Sequence, residues 1–360
     1  MKALFVAGGT GGHVYPALEI ARQFKNSGVQ IHWMGKENSL EQELSLKEDF
    51  FFQPIMSSGF REKTYKEKIV SIYHFLLSFI KSIYIFRQLK PNFIFCFGGY
   101  SSLGPGLASR VLRIPLFIHE QNSVAGSANK LLVHFARNGF EGFPQSFDKN
   151  NDKIHFVGNP VRAEITSFIN SNNEETFNGE FKLLILGGSQ GSSQLNGLVM
   201  EALKKVKEKE NWSIIHQTGV SDKSKLEEFY KELKINYKVE SFIENMGEVY
   251  NNSDLVISRA GAMTISELIA TYTPSILLPL PWATDAHQAL NAKYLEDLGA
   301  AKVITSEEEN ISELAFVLTK LAFDNEERLS MANSAKLAYL PDAAKVVFKK
   351  INESLQENIS

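Results

Sequence analysis

The sequence is poor in the features that mark secreted, nucleic-acid-binding and metal-dependent proteins. It has one cysteine among 360 residues, which cannot form a disulfide within the chain, so the composition is typical of a reducing compartment. The formal net charge is −3, which provides no general attraction to nucleic acid. No cluster of His and Cys has metal-ligand spacing, and we therefore expect a protein without a metal or another cofactor.

Two local absences point the same way. The first residues, MKALFVAGGTGGH, lack the charged start and the long apolar run of a secretory signal, so we expect no signal peptide. The single cysteine, Cys96, lies in the apolar run PNFIFCF, where a small buried side chain is more common than a reactive thiol.

What the chain does contain is a repeated strand–glycine loop–helix pattern. Residues 3–7 form an apolar run that ends in GGTGGH, and apolar residues then recur at helical spacing, with Pro16 near the first turn of the predicted helix. Residues 183–186 lead into GGSQG and a second helical pattern, 179 residues after the first. This repeat predicts an α/β fold with two tandem Rossmann-like parallel-sheet domains that face each other across a cleft.

A chain of 360 residues is long enough for two domains. We place them at residues 1–160 and 161–341, followed by a helix in residues 342–360. Because ligands bind beyond the carboxyl ends of parallel strands, we expect the functional residues in the polar or glycine-bearing loops that follow the strands. The remaining predicted strands are residues 29–34, 93–97, 116–118, 154–157, 213–216, 255–258, 275–278 and 302–304.

The two glycine loops are candidate phosphate sites. A glycine turn that opens a helix presents N–H groups and the positive end of the helix dipole together. A tight turn that binds nothing is an equally good interpretation of either loop alone. Neither loop continues into the Lys-Ser or Lys-Thr of a Walker A motif, and neither is a clean G-x-G-x-x-G. A dinucleotide dehydrogenase also needs an acidic residue at the end of the second strand, and Glu37 lies beyond Gly35 and Lys36.

Two further segments carry candidate chemistry. In SRAGAMTISE, a turn opens a helix in which Thr264 suits a diphosphate and Glu267 suits the two hydroxyls of a ribose. Helix capping by Thr264 or Ser266 is the alternative. His13, where the first loop becomes a helix, is either a general base or a structural polar residue. The segment HEQN at residues 119–122 follows a strand, so we expect it to face outward.

Residues 69–86 are nearly all apolar, with a narrow polar stripe that includes three serines. Lys81 would cost ~2.5–3.5 kcal/mol inside a bilayer, and a span here would divide the first sheet, so we expect no transmembrane helix. Residues 61–90 contain seven Lys or Arg and two Glu, which favours a helix lying on an anionic membrane surface. A buried helix that covers the sheet is the alternative, and we expect both at once, with one flank packed on the sheet and the other in contact with lipid. The residues expected to touch lipid are Phe75, Leu76, Phe79, Ile80, Lys81 and Ile83.

Seven motifs, in order, resemble those of the bacterial MurG family, the UDP-N-acetylglucosamine transferases of peptidoglycan synthesis. They cover residues 7–291 and read GGTGGHVYPALEIA, GGYSS, HEQNSVAG, GNPVR, GGSQG, SRAGAMTISELIA and LPLPWATDAHQALNA. One departure is His287-Gln288, where the family often has Gln-Gln. This leaves the role of His287 open.

The resemblance implies the two-domain fold called GT-B and an inverting transfer of GlcNAc from UDP-GlcNAc. The implied acceptor is the MurNAc 4-hydroxyl of undecaprenyl-diphosphate-MurNAc-pentapeptide (lipid I), and the product is lipid II. The implied location is peripheral, at the cytoplasmic face of the cell inner membrane. The chain has no Asp-x-Asp motif with which other nucleotide-sugar transferases bind a metal, so backbone amides and helix dipoles must hold the leaving diphosphate.

The resemblance also assigns residues. It makes His13 the base, places Thr10, Gly11 and Gly12 in the cleft on the acceptor side and within the donor-binding set, and makes Tyr100 and Glu120 acceptor-side residues. The other implied donor-binding residues are Asn122 and Gln288 at the sugar, Arg162, Ser189 and Thr264 at the diphosphate, Ile243 at the uracil, Glu267 at the ribose, and their neighbours Ala262, Met263, Ile265 and Ser266.

Three other functions stay open at this point. The chain resembles sister transferases that act on other lipid acceptors, and UDP-GlcNAc epimerases share the implied fold. A membrane-associated nucleotide-sugar sensor without turnover would carry the same binding motifs.

Overall fold

The computed structural model describes residues 1–55, 65–147, 151–168, 179–188, 191–280, 286–304 and 310–357, with only the backbone given for residues 65–69. The chain divides into two units, the first made of Met1–Pro160 with Asp342–Ser360 and the second of Val161–Pro341.

Among the described residues, the first unit is built on a seven-stranded parallel sheet in the order β3-β2-β1-β4-β5-β6-β7. Its strands are β1 Lys2–Val6, β2 Gln30–Gly35, β3 Phe51–Pro54, β4 Phe93–Cys96, β5 Leu116–Glu120, β6 Asn138–Glu141 and β7 Ile154–Phe156. Its helices are α1 Gly11–Asn26, α2 Leu40–Lys47, α3 Tyr65–Leu89, α4 Gly99–Val111, α5 Ser127–Leu132 and, at the far end of the sequence, α14 Ala343–Gln356.

The second unit is built on a six-stranded parallel sheet, again among the described residues, in the order β10-β9-β8-β11-β12-β13. Its strands are β8 Phe181–Leu186, β9 Trp212–Gln217, β10 Asn236–Glu240, β11 Leu255–Ser258, β12 Ser275–Leu277 and β13 Ala301–Val303. Its helices are α6 Ala163–Thr166, α7 Ser193–Lys205, α8 Lys223–Leu233, α9 Met246–Asn251, α10 Ala262–Thr271, α11 His287–Asp297, α12 Ile311–Phe323 and α13 Asn325–Ala338.

The predicted fold class, two tandem parallel α/β domains, is confirmed. The strands that lead into the two predicted glycine loops, β1 and β8, are each the third strand of their sheet and lie in its interior. Each of these strands lies where the strand order reverses, which is the position at which such sheets bind ligands. The prediction that Pro16 lies near the first turn of its helix is wrong, because α1 already begins at Gly11. Proline is therefore its sixth residue and cannot donate a helical hydrogen bond to Gly12.

Aromatic rings fill the core of the first unit on the face covered by α1 and α14. The rings of Phe24 on α1 and Phe348 on α14 have centroids 4.8 Å apart, and Val347 and Ile351 are fully buried. The Nε of Arg137 donates to the Ser354 Oγ at 2.6 Å. The last helix is therefore an integral part of the first unit. Cys96 is buried in the core as expected, and burial raises the pKa of its thiol to about 12.

Helix α3 has three serines inside and several of its bulky apolar side chains outside. Ser71, Ser78 and Ser82 are buried, and the Ser82 hydroxyl donates to the Ser78 carbonyl. A Cβ on Gly104 of α4 would lie 2.9 Å from the Ser78 Oγ, so small residues on both helices permit close packing. Among the side chains of α3 that the structure describes, six large apolar ones are exposed, namely those of Val70, Ile72, Tyr73, Leu76, Ile80 and Tyr84.

Within α3, the described segment Val70–Leu89 is long and apolar enough to cross a membrane by length and composition. The helix nevertheless connects β3 and β4, which belong to one sheet, and it packs along α4. This placement agrees with the prediction that α3 does not divide the first sheet.

Candidate functional site

The first glycine loop leads from β1 into α1. Gly9 has φ +103°, a conformation that residues with a side chain rarely adopt. The exposed Thr10 precedes the helix, and its carbonyl accepts the N–H of His13 at 3.1 Å. Gly11 and Gly12 are the first two helical residues, so their N–H groups have no acceptor within the helix. The loop therefore presents helix-terminal N–H groups where a ligand can reach them.

His13 is held by the segment that follows β5. Its Nδ1 lies 2.6 Å from the Oε1 of Gln121, and the Nε2 of Gln121 lies 3.0 Å from the carbonyl oxygen of His119. The His119 ring is fully buried. Burial lowers its pKa to about 3, and the backbone of Gly158 opposes part of this fall. This ring is therefore neutral near pH 7.

The GGYSS loop lies beside His13. Gly98 and Gly99 have φ values of +83° and +70°, and a Cβ on Gly99 would lie 3.7 Å from the His13 Nε2. Tyr100, at the start of α4, is 42% exposed. The positive-φ glycines thus keep the space next to the His13 ring open, with a tyrosine at its margin.

The prediction that HEQN faces outward is wrong for three of its four residues. His119, Glu120 and Gln121 are buried, because β5 continues as far as Glu120. The Oε1 of Glu120 accepts both amides of Asn122, and its Oε2 accepts from Gly126 and Asn129. Glu120 thereby fixes the loop, and its acceptor-side role stays a prediction. Asn122, predicted to meet the donor sugar, is half-buried.

The second glycine loop leads from β8 towards α7. A Cβ on Gly191 would lie 2.4 Å from the carbonyl oxygen of Thr218, so this loop requires glycine for close backbone packing. Ser192 caps α7 by accepting the Leu195 N–H. Ser189, predicted at the diphosphate, lies outside the described residues.

The amino end of α10 is close to a buried cation. Gly261 precedes this helix and has no side-chain oxygen, so the alternative in which Thr264 or Ser266 is the cap is wrong. The guanidinium of Arg259 donates to Ser192 next to the second glycine loop, at 3.0 Å. Burial lowers the pKa of Arg259 to about 10, which leaves it charged at pH 7. A positive side chain and the positive end of a helix thus lie near the same glycine loop.

The predicted donor residues on α10 differ in what they can present. The N–H groups of Ala262, Met263 and Thr264 belong to the first turn of the helix and have no acceptor within it. Ile265 is fully buried and donates its N–H to the Gly261 carbonyl. The Ser266 hydroxyl donates to the Ala262 carbonyl. The side chain and N–H of Ile265 and the hydroxyl of Ser266 are therefore used inside the fold.

Glu267 belongs to a buried ionic network. Its Oε1 lies 3.1 Å from a guanidinium nitrogen of Arg162, and its Oε2 accepts the Tyr250 hydroxyl at 3.1 Å. Burial raises the pKa of the Glu267 carboxyl, and Arg162 opposes that rise. Arg162 also lies 3.1 Å from Glu164. The sequence motifs that contain Arg162 and Glu267 are thus brought together by the fold.

Gln217 links the second glycine loop to the segment predicted to meet uracil. Its Nε2 donates to the Gly188 carbonyl at 2.8 Å, and its Oε1 accepts the Ile243 N–H at 2.9 Å. Ile243 therefore has only its carbonyl left to present to a base. In Gln288, the Oε1 accepts the Leu280 N–H at 3.0 Å, so the side-chain nitrogen points away from Leu280.

Four polar residues of these sites were not predicted, namely Gln121, Gln217, Tyr250 and Arg259. Gln121 and Arg259 stand inside motifs that we quoted, but nothing in the sequence shows which neighbours they contact. Within the described ranges, no group of three or more His, Cys, Asp or Glu side chains is arranged to hold a metal ion.

The predicted lipid-contacting residues of α3 fall into two sets. Leu76, Ile80 and Lys81 are exposed, whereas Phe79 and Ile83 pack against the core of the first unit. The half-buried Phe75 stacks on Phe79 with centroids 6.5 Å apart. Phe79 and Ile83 thus lie on the inner flank, and Val70, Ile72, Tyr73 and Tyr84 are also exposed. Lipid contact by the outer flank stays a prediction. A cavity of about 500 Å³ next to this helix is lined in part by Lys36, Glu37, His74 and Lys81.

Comparisons with known proteins cover nearly the whole chain. Residues 3–140 match the glycosyltransferase family 28 N-terminal domain, and residues 182–347 match its C-terminal domain. The chain is 38% identical over 346 residues, 96% of each protein, to the UDP-N-acetylglucosamine--N-acetylmuramyl-(pentapeptide) pyrophosphoryl-undecaprenol N-acetylglucosamine transferase of Pseudomonas savastanoi pv. phaseolicola. The enzyme of the same name from Coxiella burnetii is 35% identical over 347 residues, again 96% of each protein.

The chain also matches solved structures over nearly its whole length. The crystal structure of Acinetobacter baumannii MurG matches with a TM-score of 0.80 and 30% identity, and the match covers 98% of this chain and 99% of that one. The UDP-GlcNAc 2-epimerase of Neisseria meningitidis, bound to UDP-GlcNAc, matches with a TM-score of 0.67 at 15% identity, over 98% of this chain and all of that one. At that identity the match concerns the fold alone.

Proposed function

The chain belongs to glycosyltransferase family 28 and, within it, to the MurG family, and on that premise we propose that it transfers GlcNAc from UDP-GlcNAc to lipid I. The acceptor is the MurNAc 4-hydroxyl of undecaprenyl-diphosphate-MurNAc-pentapeptide, and the product is lipid II of peptidoglycan synthesis. The observation that carries this proposal is the 38% identity over 96% of each chain to an enzyme named for this reaction.

The chemistry is a single displacement. The 4-hydroxyl oxygen attacks the anomeric carbon of GlcNAc, the bond from that carbon to the diphosphate breaks, and UDP leaves with the bonding electrons. His13 takes the hydroxyl proton on Nε2 as the bond forms. Its position at the start of α1, beside the open space left by Gly99, supports this role.

The second unit holds the donor in this proposal. The first-turn N–H groups of α10 and the Arg259 guanidinium stabilise the charge that develops on the leaving diphosphate. The Glu267 carboxylate, oriented by Arg162 and Tyr250, accepts the ribose hydroxyls. The carbonyl of Ile243 accepts from the uracil, and the reaction proceeds without a metal ion.

The protein acts as a peripheral protein at the cytoplasmic face of the cell inner membrane, where α3 contacts lipid. The support for this is the exposed apolar side of the helix, with Ile80 61% and Tyr84 62% exposed. Residues 61–90 also contain seven Lys or Arg against two Glu, a composition that suits an anionic leaflet.

A UDP-release assay tests the reaction. Purified protein is given UDP-GlcNAc, a short-chain analogue of lipid I and excess chelator. We expect UDP release that requires the acceptor and is undiminished by the chelator. Release with a different lipid acceptor only, ManNAc formation without acceptor, or binding of UDP-GlcNAc without turnover would each replace this function with another. A strict metal requirement would overturn the proposed handling of the leaving group.

A further inference from the structure

Gln121 is a fully buried amide placed between two histidines. Its two polar atoms point in opposite directions, with Oε1 2.6 Å from the His13 Nδ1 and Nε2 2.9 Å from the His119 Nδ1. The side chain is 1% exposed. Hydrogen bonding therefore determines both its orientation and the protonation of its neighbours.

The orientation of the amide follows from a group that can only accept. The Nε2 of Gln121 also lies 3.0 Å from the carbonyl oxygen of His119. A carbonyl oxygen cannot donate, so the amide nitrogen must face His119 and the amide oxygen must face His13. The two N–H bonds of the amide then satisfy the carbonyl and the Nδ1 of His119.

The tautomers of both imidazoles follow from this orientation. An amide oxygen accepts only, so the His13 Nδ1 must carry the hydrogen, and the neutral His13 ring must have its lone pair on Nε2. The His119 Nδ1 accepts from Gln121 and is unprotonated, so the neutral His119 ring carries its hydrogen on Nε2. A ring locked in this way cannot offer a hydrogen to Gln121 and reverse the chain of bonds.

From this chain of hydrogen bonds we infer that Gln121 is a positioning residue that holds His13 in the one neutral tautomer able to accept a proton on Nε2, while His119 locks the direction of the Gln121 amide. This inference rests on the proposed role of His13 as base. The partner of the His13 Nδ1 is a neutral amide, so a proton taken up on Nε2 meets no compensating carboxylate in this contact, which favours its later release to solvent.

The backbone of the same segment is also fixed. The Nδ2 of Asn159 donates to the Gln121 carbonyl oxygen at 2.9 Å, and the Nδ2 of Asn129 donates to the His119 carbonyl oxygen at 3.0 Å. Asn129 is as deeply buried as Gln121, but its side-chain amide donates to His119 and Glu120 and not to His13. It therefore serves as a matched control for a purely structural role.

The test compares Gln121→Leu, Gln121→Glu and Asn129→Leu. Nitrogen-15 NMR of labelled protein reads the tautomer of the His13 ring at pH 8 without substrate, and a His13→Gln variant assigns the signal. We expect the Nδ1–H form in the unaltered protein and in Asn129→Leu, and a shift towards the Nε2–H form in Gln121→Leu. An unchanged tautomer in folded Gln121→Leu would overturn the inference, whatever the outcome of the UDP-release assay.

Kinetics give a second readout. Gln121→Leu should lower kcat at least about tenfold with little change in the KM for UDP-GlcNAc. In Gln121→Glu, a carboxylate facing His13 favours the protonated ring, so the acid limb of the kcat/KM profile should move to higher pH. The limb should stay in place in Asn129→Leu. An acid limb that moves equally in Gln121→Glu and Asn129→Leu would show a general disturbance of the loop and contradict a positioning role.

Discussion

At the scale of single residues, Glu267 depends on Arg162 for its charge. Their side chains are 9% and 12% exposed, so removing the cation leaves a carboxylate buried beside the Tyr250 hydroxyl alone. We expect Arg162→Met to lower the free energy of unfolding by about 3–5 kcal/mol, measured by urea denaturation. Adding Glu267→Gln should restore more than half of that loss, because no unpaired charge then remains. A double variant as unstable as Arg162→Met would show that the unpaired Glu267 charge does not cause the loss of stability.

His13 makes the sharpest catalytic prediction. Replacing it with alanine removes the proposed base, and we expect kcat to fall by about 10²–10⁴-fold. UDP affinity, measured by calorimetry, should change less than about threefold, because the proposed UDP ligands belong to the second unit. Undiminished turnover would remove His13 as the base.

The sequence identified the residues whose chemistry is visible in their type, but not those that act through contacts. His13, Arg162 and Glu267 could be singled out because they stand in motifs that follow strands and carry titratable groups. Gln121 and Gln217 could not, because an amide gives no signal until its two ends are seen to bond different elements. The outward orientation expected for HEQN failed for a related reason. A strand boundary misjudged by two residues moved His119 and Glu120 from the core to the surface.

At the scale of elements, α3 makes a prediction about lipid. Ile80 is 61% exposed on its outer side, and we expect Ile80→Glu to weaken binding to anionic vesicles by about tenfold or more. The free energy of unfolding should change by less than about 0.5 kcal/mol, because the side chain already faces solvent.

The matched control for that experiment is Leu337→Glu on α13, which makes the same kind of change at a residue 90% exposed in the second unit. Vesicle co-sedimentation should be unaffected by it. Equal binding by the two variants would exclude α3 as the lipid-contacting element.

The predictions of elements succeeded where the pattern was long or buried. The central strands β1, β4, β8 and β11 are continuous apolar runs and were predicted to within one or two residues. The strands β3, β6 and β10 were missed, since β3 and β10 are edge strands whose mixed residues need no apolar run. β6 begins with Asn-Gly, which resembles a turn. The direction in which α3 turns its serines also could not be predicted, because packing against Gly104 is a property of two helices.

At the scale of the whole molecule, each unit contains a buried neutral histidine. Burial lowers the pKa of His119 and of His216 to about 3, from an ordinary value of 6.5. The unfolded chain therefore binds protons more readily than the folded one below pH 6.5. The contribution of these histidines to the free energy of unfolding should be complete above pH 6.5 and decrease as the pH falls towards 3. At pH 5 the loss should be about 2 kcal/mol per histidine.

Urea unfolding at pH 7.5 and pH 5 checks this dependence. His216→Gln should be less stable than the unaltered protein at pH 7.5, because His216 bonds Tyr230 and Asn196. It should nevertheless lose about 2 kcal/mol less between the two pH values. The exposed His134, replaced by Gln, should leave the loss unchanged. A loss that is the same in all three proteins would assign the acid sensitivity to other groups.

The position of α14 has a consequence for how the protein is made. The ribosome releases α1 long before α14, yet Val347 and Ile351 of α14 complete the apolar core around Phe24. The core of the first unit is therefore completed only after strands β8–β13 of the second unit have been synthesised. A nascent chain stalled before residue 343 would keep that aromatic surface uncovered and be a ready substrate for chaperones.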